Sequence, residues 1–142
     1  MSHQFSAHLT FAGNCREAFA FYAKVIGGKV EMTMTWGEKP DGCQGLPPGC
    51  ENRVMHSSLS FEGGLLMGCD DLPGQDFAGL KGCSLAINYP TVEKGKQVLE
   101  ALAEGGKLTM GMQKTFWAEG FGMAEDRFGV SWMVSGGSPQ AG

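Results

Sequence analysis

GGKVEMTM, Gly27 to Met34, returns 78 positions later as GGKLTMGM, Gly105 to Met112. The echo is wider than the quoted stretch. Residues 8–34 lie on 86–112 without a gap, so that Ala23, Gly27, Gly28, Lys29, Met32 and Met34 fall on Ala101, Gly105, Gly106, Lys107, Met110 and Met112. Leu9/Ile87, Phe11/Tyr89, Phe21/Leu99 and Val30/Leu108 match in kind. A shared glycine helix stop explains part of this. Six identities in one gapless register ask for more, and an internal repeat is the first thing to look for in a chain.

Local patterns say what is repeated. Residues 5–12 alternate as a strand. Asn14 is placed as a helix N-cap, with Glu17 closing a capping box. Ala18, Phe21, Tyr22 and Val25 then recur at helical spacing, and Gly27-Gly28 stops a helix over 15–26. Val30, Met32 and Met34 alternate with polar neighbours as a second strand. The later copy repeats the order, with a strand over 83–89, Thr91 as cap, helix over 92–104, a stop at Gly105-Gly106, and alternating Leu108, Met110 and Met112. Two further strand-like runs follow each unit. They are VMHSSLSF (54–61) and LLMGC (65–69), joined by Glu62-Gly63-Gly64, and then FGMAED (121–126) and VSWMV (130–134), joined by Arg127-Phe128-Gly129. Asp126 and Arg127 are read as stabilising that turn, and Asp70 and Asp71 as loop surface. The segment 37–53, rich in Gly and Pro, reads as an exposed loop. The expected fold is therefore α+β, one domain over 1–142 of two βαβββ modules, about 5–70 and 83–135, related by an internal pseudo-two-fold. A four-stranded sheet with a single helix leaves one face bare, and such faces must be buried or curled round a cleft, the default place for a ligand.

Composition excludes several classes. The 142 residues carry a net charge of -4, with 42% hydrophobic and 18% charged residues. That is a folding chain with no Lys/Arg cluster, so nucleic acid is not an expected partner. No apolar run approaches the roughly 20 residues of a membrane span. The start, MSHQFSAHLTF, lacks a signal peptide's basic and apolar segments, which points to the cytoplasm. Five cysteines without a CxxC pair fit reduced thiols, although Cys43 and Cys50 flank a loop and could pair or bind metal.

Several stretches together resemble the vicinal oxygen chelate superfamily, the glyoxalase, bleomycin-resistance and dioxygenase proteins, and within it the PhnB-like branch. They are HLTFAGNCREAFAFY (8–22), VMHSSLS (54–60), LLMGCDD (65–71), LAEGGKLTM (102–110) and KTFWAEGFGMAEDRFGVSWMV (114–134). The resemblance spans nearly the whole chain. Some such relatives carry the name of a demethylubiquinone methyltransferase, yet no glycine-rich strand-to-helix loop that would hold S-adenosylmethionine is visible.

In metal enzymes of that superfamily, the first and last strands of each unit each give one ligand to a shared divalent ion. The resemblance places these positions at Ala7 or His8 and near Met67, Ser84 and Met133. His8 shares a face with Ser6 and Thr10, away from Leu9 and Phe11, and is the one good ligand. The expectation is accordingly no conventional metal and no other cofactor.

Catalytic candidates are His8, His56 and Glu119. His56 makes a polar strand face with Ser58 and Ser60 and has the chemistry of a general base, and Glu119 is an acid that could pair with it. The plain alternatives are a hydrogen-bonded structural histidine and a solvated loop charge. Trp36, Met67, Trp117, Phe121 and Trp132 are candidate pocket walls, with an ordinary core as their alternative. Two functions remain open: a metal-free cleft binding a small apolar or aromatic molecule, or an enzyme using these acid–base groups or an unusual metal. The resemblance also implies a homodimer.

Overall fold

Leu9 and Phe11 are buried while His8 and Thr10 are exposed, so strand β1 (Ala7–Phe11) has one face in a core and one face out of it. The computed structural model describes residues 5–40, 42–74, 77 and 79–139. After β1 come α1 (Cys15–Ile26), β2 (Lys29–Thr35), β3 (Val54–Phe61) and β4 (Gly64–Asp70). The order then repeats as β5 (Leu85–Tyr89), α2 (Val92–Ala103), β6 (Lys107–Gln113), β7 (Ala118–Glu125) and β8 (Ser131–Pro139). The chain divides between them into two units, Met1–Gly79 and Leu80–Gly142.

Both units have the same topology. The sheets run β1-β4-β3-β2 and β5-β8-β7-β6, and in each the first strand pairs in parallel with the last. The other pairings are antiparallel. This is the expected βαβββ arrangement, with helix ends within a residue of those read from the sequence. No helix among the described residues is long and apolar enough to cross a membrane.

The echo now has a physical cause. Gly27 and Gly105 have φ of 75° and 77°, the left-handed conformation that turns the chain out of each helix. The next glycine is needed for a different reason. A Cβ on Gly28 would lie 2.7 Å from the Ser60 carbonyl oxygen, and one on Gly106 would lie 2.6 Å from the Asp126 carbonyl carbon. Each Gly-Gly thus turns the chain and then lets it pass the strand end beside it. The register shifts that follow also coincide, between Val30 and Met32 and between Leu108 and Met110.

Within the helices the gapless register fails. The buried residues of α1 are Cys15, Ala18, Phe19 and Tyr22, and those of α2 are Gly95, Val98, Leu99 and Leu102. These stripes correspond at a spacing of 80 residues, so Phe19, not Phe21, is the partner of Leu99. Phe21 and Val25 are only half-buried. Phe19 meets Phe11 edge-on at 6.0 Å between centroids, in the space that Gly68 leaves open. Each fully buried side chain of this size contributes roughly 1.5–3 kcal/mol.

The caps differ as well. Thr91 caps α2 by accepting the Lys94 amide hydrogen at 3.1 Å. Asn14 makes no side-chain cap to α1. Asp70 does this work from the end of β4: its Oδ1 accepts the Cys15 N–H at 2.8 Å and its Oδ2 accepts the Val54 N–H at 2.8 Å. The reading of Asp70 as loop surface is corrected, for it is 5% exposed and ties α1, β3 and β4 together. Asp71 is held by Arg53 at 2.7 Å. Asp126 fills the turn role expected of it, accepting the Phe128 and Val130 amide hydrogens and the Trp132 indole N–H.

The segment 37–53 leaves β2 through a short 3-10 turn at Trp36–Glu38, held by Glu38 accepting from the Thr35 amide and hydroxyl. Cys43 and Cys50, the two cysteines flanking the loop that the sequence left open to pairing, lie side by side within it, their Cα atoms 6.5 Å apart. Cys15, Cys69 and Cys83 are free.

Two outcomes follow from the Asp70 junction. Asp70→Asn keeps the shape but turns an NH2 toward one of the two amides, leaving a buried donor unpaired. We expect a loss of about 2–3 kcal/mol in urea unfolding; a loss below about 0.5 kcal/mol would show the junction to be dispensable. The Cys15 thiol is pushed up from 9.0 to about 12, first by burial and then by the Asp70 charge. Its folded pKa is raised, so the folded chain keeps a proton that the unfolded chain sheds, and stability falls as pH rises from about 9 toward 12. At pH 8, iodoacetamide should label the exposed Cys83 and leave Cys15 unmodified until the protein unfolds; rapid labelling of Cys15 would contradict this.

Candidate functional site

Each sheet has one face under its helix and one face away from it. Two rungs cross the uncovered face of the first sheet. In one, His8 pairs with Met67, Met67 with Ser58, and Ser58 with Met32. In the neighbouring rung, Thr10 pairs with Cys69, and Met34 with His56. The His8 and His56 rings come together across β4, 6.1 Å between centroids with planes 26° apart. The Cys69 thiol lies 3.8 Å from the Thr10 hydroxyl.

The second sheet carries different chemistry at matching places. Its rungs are Ala86–Met133–Met123–Met110 and Asn88–Ser135–Phe121–Gln113. Ala86 stands where the first sheet has His8, and Phe121 where it has His56. Beside the second rung lies a pocket of about 160 Å³, bounded by Trp117, Asn88, Ser135 and the backbone of 136–138. Trp117 is 44% exposed and meets Phe121 edge-on at 5.3 Å and Phe116 at 4.8 Å. The glycines around Phe121 belong to the other face: a Cβ on Gly120 would strike Val92 of α2. They let the helix approach the sheet closely.

The candidate residues divide between the two units. His8, His56 and Met67 share the first sheet's uncovered face. Trp117 and Phe121 form one aromatic cluster in the second unit. Glu119 is on β7, and its Oε1 accepts the Ser138 N–H at 2.9 Å. Trp132 is 3% exposed with its indole N–H given to Asp126, so it is a core residue. Trp36 lies in the first unit, with the Lys39 ammonium 5.8 Å from its ring centroid. Asn88 and Ser135 were missed in the sequence. Only their place in the rung that ends beside Phe121, Asn88 pairing with Ser135 and Ser135 with Phe121, distinguishes them from other short polar residues. The Tyr89 hydroxyl, whose pKa is raised by burial, finds no partner among the described residues.

Of the divalent-ion positions implied by the resemblance, His8 and Met67 pair in the first sheet, while in the second unit Met133 pairs with Ala86 and not with Ser84. Ser84 precedes β5, and its hydroxyl donates to Ser131 Oγ at 2.8 Å. One imidazole, two thioethers and a serine hydroxyl do not suit a hard or borderline divalent ion. Among the described residues, no group of three His, Cys, Asp or Glu side chains could hold a metal ion.

Known proteins agree with this architecture. A sequence model of the 3-demethylubiquinone-9 3-methyltransferase family matches residues 3–135. Protein YjdN of Escherichia coli (strain K12) is 34% identical over 137 residues, covering 92% of each chain. The crystal structure of protein PA1353 from Pseudomonas aeruginosa superposes with a TM-score of 0.86 at 39% identity, over 96% of this chain and 98% of that one. A putative 3-demethylubiquinone-9 3-methyltransferase, PhnB protein, from Bacillus cereus gives 0.77 at 24% identity, over 94% and 99%. The two βαβββ units, with their parallel first and last strands, are those of the glyoxalase/bleomycin-resistance fold. The chain belongs to the 3-demethylubiquinone-9 3-methyltransferase family and has the glyoxalase/bleomycin-resistance fold.

Proposed function

We propose that this protein binds a small flat molecule, apolar or aromatic, in the second unit beside Trp117. The observation that carries the reading is the pocket of about 160 Å³ with a half-exposed indole at its edge. A cavity of about 150 Å³ accepts a single benzene ring. Asn88 and Ser135 add a side-chain amide and a hydroxyl at its margin, enough to orient one polar substituent. The Trp117 ring rests edge-on against the buried Phe121 ring, which limits the freedom lost when a ligand stacks on it.

The enzymatic readings have less support. Methyl transfer needs a cofactor loop, whereas the strand-to-helix turns here are residues 12–14 and 90–91. Both are too short for a glycine-rich phosphate or nucleotide loop. The Glu119 carboxylate is engaged by a backbone amide within its own unit.

Indole serves as the probe. Heteronuclear NMR titration should give a dissociation constant in the millimolar range, because one buried ring supplies only a few kcal/mol. Trp117→Ala should weaken binding between about three- and tenfold, the worth of one aromatic contact, while Trp132→Phe should leave affinity unchanged. Indole affinity that survives Trp117→Ala, or no binding at about tenfold above the millimolar range, would contradict the proposal.

A further inference from the structure

One side of the pocket beside Trp117 is made where the second sheet departs from regular pairing. From Glu125 to Gly120, β7 meets β8 from Ser131 to Gly136 residue for residue, and the next pair is Ala118 with Pro139. Glu119 therefore stands opposite two residues, Gly137 and Ser138, which is a β-bulge. Gly137 has the left-handed backbone that glycine takes in such bulges, with φ of 84°. In the first unit, β3 and β4 pair from Phe61 to Ser57 with no such shift. Gly136, Gly137 and Ser138 together line the pocket.

We propose that Glu119 is a positioning residue that holds this wall, and through it sets how tightly a ring is bound beside Trp117; the second half rests on the pocket reading above. Glu119 is not itself part of the lining, so it acts through Gly137 and Ser138 and not by touching the ring. Two contacts carry the inference. Its Oε1 accepts the Ser138 N–H at 2.9 Å. Its side chain also lies along Gly137, where an added Cβ would fall 2.6 Å from Oε1 and 2.9 Å from the Glu119 Cβ. A bulge interrupts the backbone ladder, and the carboxylate supplies an acceptor at that point. Hydrogen bonds to a charged acceptor are the stronger kind. Glu119 has no ion-pair partner among the described residues, so the Ser138 amide is the contact that fixes its carboxylate. The other end of the wall is fixed separately. A Cβ on Gly136 would lie 2.5 Å from the Thr91 carbonyl oxygen, at the start of α2. The wall is thus pinned by the helix at Gly136 and by Glu119 at Ser138.

The test uses the 15N-labelled full chain as wild type, Glu119→Ala and Glu119→Gln. Glutamine keeps a carbonyl oxygen for the Ser138 amide and loses only the charge. Circular dichroism establishes that each variant is folded. Without ligand, solvent exchange of the Ser138 amide should be about tenfold faster in Glu119→Ala, the worth of one hydrogen bond to a charged acceptor. With indole as the probe, Glu119→Ala should weaken affinity about three- to tenfold, because the binding arrangement of the wall is then only partly populated. Glu119→Gln should recover most of both losses. Ser138 exchange unchanged in Glu119→Ala would overturn the proposal, and so would wild-type indole affinity in that variant. Affinity lost as fully in Glu119→Gln as in Glu119→Ala would also overturn it, since the ring would then answer to the charge and not to the wall. Wild-type protein that binds no indole would contradict the pocket reading, while faster Ser138 exchange in Glu119→Ala would still support the hold of Glu119 on the wall.

Discussion

A single helix can cover only one face of a four-stranded sheet, and strand side chains alternate between faces with a period of two. Those two facts place the candidate site residues on the strands. In β1, Leu9 and Phe11 go under α1, and His8 and Thr10 are left outside. In β4, Leu66, Gly68 and Asp70 are buried while Met67 and Cys69 are less so. In β8, Trp132 and Val134 are buried and Met133 and Ser135 are on the other face. A slip of one residue in any strand would exchange the two sets. The buried carboxylates guard against such slips. Asp70 fixes the start of β3 against the end of β4, and Asp126 fixes the turn between β7 and β8.

The repeat therefore preserves a scaffold and changes its cargo. Gly-Gly at each helix end, parallel pairing of first and last strands, and the shifted register in β2 and β6 recur in both units. The uncovered faces do not recur. One carries two imidazoles among thioethers, and the other an aromatic cluster beside a ring-sized pocket.

Much of this was legible in the sequence. Glycine stops, turn residues and alternation are local signals, and they located every strand and both helices. The alternation of β1 also put His8 on the face away from Leu9. What was hidden depends on contacts between distant residues. Asp70 looks like surface because it begins an acidic, proline-containing loop, yet its partners are Cys15 and Val54. Phe19 and Phe21 both fit a helical stripe until Gly68 shows which has room beneath it. Trp117 and Trp132 have the same residue chemistry, and only the Asp126 acceptor separates a core tryptophan from a half-exposed one. The pairing of His8 with His56 needed the strand order, since β4 lies between their strands in the sheet but follows both in the chain.

The central claim is that one repeated scaffold carries different chemistry on the face of each sheet away from its helix, with the aromatic cluster beside Trp117 as the ligand site. Two-dimensional 15N NMR of the protein titrated with indole tests it most directly. The account predicts shifts of the Trp117 side-chain N–H and of amides around Asn88 and Ser135. Saturating indole that leaves the Trp117 N–H and these amides unmoved would contradict it.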